Sequence, residues 1–222
     1  MNIPPSCFLK RIAFSVRSIN LARSVAVATA FAAVAFSLAA CGSSRPIKYY
    51  QVTYPTKTFV AQDAINATLM VRTFEASHLF LDDKMVYGFD SPEIGTYEFH
   101  RWADPPVEIL QNALVRGLRS SGRFKAVYTL RADPDGRFIL AGHLYDFEEV
   151  DGATVLARLS YDVRLRDRKT GTTVWEHSYS YDEPASEKTI TSFVMAMDKN
   201  IQRSVLDVQA GLEEFFRANP VQ

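Results

Sequence analysis

The residue type best suited to covalent chemistry in this chain is cysteine, and only two are present, Cys7 and Cys41. Cys41 follows Leu38-Ala39-Ala40 directly. A thiolate is a strong nucleophile and a good point of attachment for an apolar group. The other candidates carry less. His78, His100, His143 and His177 form no i, i+4 pair and no HExxH-type spacing, whereas zinc needs three or four converging ligands. His143 and His177 fall in predicted strands, where they could be neighbours across a sheet. Glu148, Glu149 and Asp151 cluster near a predicted hairpin; they suit a cation or a carboxylate pair, and equally an ordinary solvated turn. Ser120-Ser121-Gly122 lacks the sequence of a nucleophile elbow. No Gly-rich phosphate loop is present. The expectation is a chain with no catalytic residue, no metal site and no cofactor, hence not an enzyme and not itself an ATPase.

The context of Cys41 says what its thiol is for. An apolar run rich in Ala, Val and Phe spans Val25 to Ala40, preceded by Lys10, Arg11, Arg17 and Arg23, with no acidic residue before Cys41. That layout predicts a secretory signal over residues 1–40. With Cys at its end, Leu38-Ala39-Ala40-Cys41 resembles the lipobox of bacterial lipoproteins. The resemblance implies that Leu38, Ala39 and Ala40 are read by the signal peptidase, that Cys41 takes a diacylglycerol, and that cleavage makes Cys41 the new N-terminus. Each buried methylene gives about 0.8 kcal/mol, so one acyl chain holds weakly and several hold firmly. The competing reading, a plain transmembrane anchor, needs about 20 apolar residues; this run is shorter and lacks a stop-transfer charge cluster. By the same resemblance, Gly42 rather than Asp after the lipidated Cys favours the outer membrane over the inner.

Composition then limits the partners. Lys plus Arg and Asp plus Glu number 25 each. Residues 1–40 hold four of the basic residues and none of the acidic ones, leaving 21 basic against 25 acidic, net −4. No basic excess remains to displace counterions from nucleic acid. Cys7 leaves with the signal and Cys41 is lipidated, so the mature chain would hold neither a free thiol nor a disulfide.

The elements follow in order. Residues 41–66 read as the lipidated N-terminus and tether, with Ile47 to Val52 as a possible first strand. Residues 67–222 read as one periplasmic domain. Ala67 to Phe74 reads as a strand, with Leu69, Val71 and Thr73 on one face and Met70 and Phe74 on the other. Glu75 to Asp83 reads as a loop. Lys84–Phe89 and Ile94–His100 form a pair around the turn residues Asp90-Ser91-Pro92-Glu93. Asp104-Pro105-Pro106 opens a helix, with Asp104 as cap and Pro105 at the first helical position. Val107, Leu110, Leu114 and Leu118 are its apolar stripe, and Gly122 its left-handed end. Phe124 to Leu130 is a strand and Asp133-Pro134-Asp135-Gly136 a turn. Arg137–Val150, the alternating run Val155 to Leu165, and Thr173–Tyr181 then form a three-stranded meander. Ser186 to Arg217 has helical periodicity, with Phe193, Met197, Ile201, Val205, Val208 and Leu212 on one face. The fold class is α+β: an antiparallel β-sheet with two α-helices packed on one face, the C-terminal helix long. Trp175, Tyr179 and Tyr181 alternate on one face of the last strand, either covering the helix layer or forming a lipid- or subunit-contacting surface.

One longer block is more specific: Phe80-Leu81-Asp82-Asp83, Met85-Val86-Tyr87, Thr96-Tyr97-Glu98-Phe99, Arg101-Trp102-Ala103-Asp104-Pro105-Pro106, then Ser121-Gly122-Arg123-Phe124. In this order it resembles the auxiliary lipoproteins of ABC-type transport systems, those that accompany mammalian-cell-entry-type lipid transporters. Asp82-Asp83 before Lys84 departs from the family pattern, which often has a basic residue sooner, and Phe89 to Ile94 also differs. The residues of the motif, Arg101, Trp102, Asp104 and Pro105, read as structural: a ring over the helix start, a charge at the rim and a fixed angle into the helix. The resemblance implies a non-enzymatic lipoprotein on the periplasmic face of the outer membrane, moored by its acyl chains. Its partners would be a periplasm-spanning shuttle protein and the inner-membrane permease and ATPase of the same system, with lipid as cargo and a homo-oligomer as the assembled form. The alternative is a free-standing structural or stress lipoprotein that binds peptidoglycan or a surface partner. A periplasmic hydrolase is the weakest reading, since no nucleophile and base share a spacing.

Overall fold

The structure is a computed structural model and describes residues 45–54, 64–89, 91–130 and 136–221. Its axis is strand β7, Phe138–Asp151, the longest of the nine strands among the described residues. On one edge β7 pairs antiparallel with β8, Leu156–Asp167, from Phe138↔Asp167 to Val150↔Leu156. β8 in turn pairs antiparallel with β9, Thr172–Pro184. This is the expected meander. Ala157, Leu159, Tyr161, Val163 and Leu165 are all buried on one face of β8, as a half-buried strand requires. Gly171, at a φ of +74°, closes the β8–β9 turn, and its N–H donates to Asp167 O at 2.8 Å.

The other edge of β7 corrects the expected antiparallel sheet. It is shared by three strands in succession, all parallel to it: β2, Ile65–Val71; β3, Glu75–Ala76; and β4, Lys84–Phe89. Beyond β2 lies β6, Phe124–Thr129, again parallel. Beyond β4 lies β5, Ser91–Trp102, antiparallel to it, and β1, Lys48–Tyr50, is parallel to β5. The sheet is therefore mixed, and it divides into two arms past β7. Parallel pairing needs long crossovers, which the intervening hairpins and the first helix supply. β2 is also buried on both faces, with Leu69, Met70 and Val71 all at 0% exposure, as expected of a strand inside a parallel sheet. β5 begins at Ser91, inside the predicted turn, and the predicted loop 75–83 contains β3 and a 3-10 turn, His78–Phe80.

Helix α1 spans Pro106–Ser120 and helix α2 spans Ile190–Ala218. The 29 residues of α2 give a rod about 44 Å long. The start of α1 also differs from the expectation. Pro105, not Asp104, is the cap residue, and Pro106 takes the first helical position; Asp104 makes no capping bond. Pro105 O accepts from the N–H groups of Glu108 and Ile109, each at 2.9 Å. The predicted stripe of Val107, Leu110, Leu114 and Leu118 is buried, and Gly122 closes the helix at a φ of +64°. Thr189 caps α2 by accepting from Ser192 N at 3.2 Å. The two helices touch at Gly117, where a Cβ would fall 2.1 Å from Val205 Cγ1. Asn200, fully buried, ties α2 to the sheet by donating to Ala157 O at 2.7 Å.

Candidate functional site

Cys41 and the residues Leu38, Ala39 and Ala40 lie outside the described residues. The structure does describe where the chain that follows them joins the fold. Its first strand, β1, runs beside the end of β5, with Lys48 opposite His100, Tyr49 opposite Arg101 and Tyr50 opposite Trp102. The Ala103 N–H donates to Tyr50 O at 2.7 Å, and Tyr50 Oη is 3.0 Å from His100 Nδ1. Val52 and Tyr54, within the stretch 41–66, are buried. The Thr53 N–H donates to Asp198 on α2 at 2.8 Å. The motif residues Arg101 and Trp102 are thus the landing point for the segment leading from Cys41.

Each motif residue has a definite place there. Trp102 has no exposed surface and packs edge-on against Phe147, at 5.3 Å, and obliquely against Phe193, at 5.8 Å. It joins β5, β7 and α2. The Trp102 N–H donates to Asp83 O at 2.7 Å. Arg101 Nη1 donates to Tyr97 O at 2.9 Å, and its Nε lies 3.6 Å from Asp83 Oδ1. Asp104 raises the pKa of Tyr54 by its charge, a smaller effect than the burial of that phenol. The Arg116 guanidinium sits 4.4 Å from the centre of the Tyr54 ring. Pro105 sets the start of α1 as described above. These contacts position elements; none aims a reactive group at a cleft.

The polar cluster nearest to a catalytic arrangement is Tyr97 and Glu149, 52 residues apart in sequence. The Tyr97 hydroxyl donates to Glu149 Oε1 at 2.9 Å. Burial pushes the Glu149 carboxyl above the ordinary range, while the Tyr97 bond opposes this. Burial, then the Glu149 charge, pushes the Tyr97 phenol far above its ordinary value. Rings of Tyr87, His100 and Tyr50 continue the cluster. Glu148, half-buried on the opposite side of β7, is also raised, chiefly by burial and then by Asp146. The pair therefore does not converge. His143 and His177 do not meet either: His143 lies opposite Asp162 and His177 opposite Val163, so β8 separates them. Among the described residues no three His, Cys, Asp or Glu side chains come together as metal ligands. No described helix is long and apolar enough to cross a membrane.

Comparison with known proteins gives the class. A family model described as "ABC-type transport auxiliary lipoprotein component" matches residues 50–208. The chain belongs to that family. The matched span begins in β1 and contains the whole block from Phe80 to Phe124. In fold, the chain is similar to protein XCC0632 from Xanthomonas campestris, at 18% identity and a TM-score of 0.65, covering 74% of this chain and 93% of that one. It is also similar to the crystal structure of an uncharacterized protein, at 14% identity and a TM-score of 0.62, covering 76% and 99%. No curated protein matches the chain.

Proposed function

We propose that this chain is a non-enzymatic, lipid-anchored subunit of an envelope lipid transporter of the ABC, mammalian-cell-entry-like type. It is held by acyl chains on Cys41 to the periplasmic face of the outer membrane. The observation that carries the reading is the family match over residues 50–208, preceded by the leader and Leu38-Ala39-Ala40-Cys41. The placement of β1 supports it: the segment leading from Cys41 enters the sheet at Arg101 and Trp102, so pull on the anchor is borne by backbone pairing and a buried ring. In this role the folded domain works by holding a periplasm-spanning shuttle, and through it the inner-membrane permease and ATPase, while lipid passes between the membranes. A homo-oligomer would let several such domains surround the end of one shuttle.

The test is Cys41→Ala in the native host. The expected outcome is release of the protein from the membrane fraction, with loss of the shuttle and permease from what co-purifies with it in detergent. Recovery of Cys41 unmodified, with residues 1–40 still attached, would overturn the anchor. A correctly lipidated protein that never co-purifies with any shuttle, permease or ATPase component would overturn the transport role while leaving the anchor standing.

A further inference from the structure

β9 and α2 enclose an open groove of about 500 Å³ that the motif at Trp102 does not explain. Its wall is a row of rings on alternate residues of β9. Trp175 and His177 stack at 6.3 Å and 15°, and His177 and Tyr179 lie 4.6 Å apart. Trp175, His177, Tyr179 and Tyr181 stand opposite Leu165, Val163, Tyr161 and Leu159, so they share the face that α2 covers. α2 covers only part of that row. Tyr181 is buried, and its hydroxyl donates to Asp207 Oδ2 at 2.8 Å. Trp175 and Tyr179 are half-buried and His177 is exposed. α2 meets the row closely at Gly211, where a Cβ would lie 2.9 Å from Trp175 Cζ2 and 3.4 Å from the Tyr179 hydroxyl, so the glycine lets the helix backbone rest against these rings.

The charge of the groove has one sign. Asp207 and Glu214 line it from α2, both exposed, and among the described residues no lysine or arginine lines it. The Arg203 guanidinium lies toward Tyr181, 5.8 Å from its ring, and is held by Glu183 at 2.8 Å. Ring faces and carboxylates both attract a cation. Beside the groove, β9 pairs only with β8 over its 13 residues, so its outer edge is open among the described strands. Such an edge accepts a further extended strand. The side chains of a strand added there would fall at every second residue, the spacing of the rings.

We propose that this groove is a docking site for a lysine or arginine side chain carried on an extended segment of a protein partner, laid along the open edge of β9. Backbone pairing supplies the affinity, and the rings with Asp207 and Glu214 select the cation. The site stands whether or not the partner belongs to a transport system.

The chain's two tryptophans make the test direct. Trp102 is fully buried, so ligand-dependent changes in emission report Trp175. Full-length protein in non-ionic detergent is titrated with a short synthetic peptide that alternates arginine with threonine. The expected result is a saturable change in emission, lost in Trp175→Phe and weakened by salt. Replacing arginine by its neutral isostere citrulline, or by glutamate, should abolish it. Glu214→Gln, an exposed position on α2, should weaken binding roughly fivefold; Asp207→Asn should do the same. A peptide with proline at the threonine positions should not bind. The proposal fails if the arginine peptide gives no saturable change, if the citrulline peptide binds equally, or if Glu214→Gln binds like the wild type. Binding of the proline peptide would overturn the edge pairing, and a response to chitin-type oligosaccharide in place of the peptide would replace the cation by a sugar.

Discussion

The two tryptophans occupy opposite kinds of place. Trp102 closes a junction where β5, β7 and α2 meet, packed by Phe147 and Phe193 and without exposed surface. Trp175 stands at the rim of a groove, half covered by α2 and beside carboxylates that have no basic neighbour in that groove. The same side chain serves as a keystone in one place and as an open shelf in the other. What separates them is the kind of cover α2 gives: near its start the helix lays the Phe193 ring over Trp102, whereas farther along it meets Trp175 at Gly211, which has no side chain, and the ring stays half exposed.

Substitution at both positions sharpens the contrast. Trp102→Ala removes a large ring from a closed core and should cost about 3–5 kcal/mol of folding stability. Trp175→Ala should cost about 1 kcal/mol, since much of the ring is already in water. Urea unfolding of both variants measures the difference, and equal losses would break the distinction drawn here. Asn200→Ala is the next largest effect. Its amide bridges α2 to Ala157 O and, at 3.5 Å, to Tyr181 O. Losing it leaves a buried carbonyl without its donor, at about 1–3 kcal/mol. If instead Asn200→Ala is neutral, the helix is held over the groove by apolar contact and by the Tyr181–Asp207 and Arg203–Glu183 links.

Much of this was legible in the chain and some of it was not, for physical reasons. The meander and its buried face could be read from Val155 to Leu165, because period-two alternation reports which face of a strand is buried. It does not report direction. β2 and β4 pair in parallel with β7 through contacts that skip over whole elements, which is why an antiparallel sheet was expected. The start of α1 was misplaced by one residue because Asp-Pro-Pro offers two prolines for the first helical position, and the second takes it. Trp175, Tyr179 and Tyr181 can be seen in the sequence to share a face; the structure shows Tyr181 buried under the helix layer and Trp175 and Tyr179 half-buried beside it. The carboxylates opposite them lie on α2, and only the register of helix over strand brings Asp207 and Glu214 there. The sequence singles out Glu149 and Tyr97 separately, but not their pairing, since that depends on β4 lying between β5 and β7.

The two ends of β7 give the smallest and most specific prediction. Near its C-terminal end, Glu149 is buried beside Tyr97 and its pKa lies above the ordinary 4.5. At its N-terminal end, Phe138 pairs with Asp167, whose pKa is held below 3.8, first by the hydrogen bond from Arg137, with the Lys169 N–H adding to it. The two carboxylates therefore act on stability with opposite slopes. For Glu149 the folded state keeps its proton longer than the unfolded chain does. Its contribution is most favourable below pH 4.5 and declines as pH rises through the raised folded value. For Asp167 the folded state gives up its proton sooner. Its contribution is complete above pH 3.8 and is lost as pH falls through the depressed value. Glu149→Gln should flatten the stability profile only on the side above pH 4.5, and Asp167→Asn only on the side below pH 3.8, as read by urea unfolding across a pH series. A single variant that flattened both sides would mean that the two ends of β7 are coupled through the strand, and that the junction beside Trp102 is not energetically separate from the rest of the sheet.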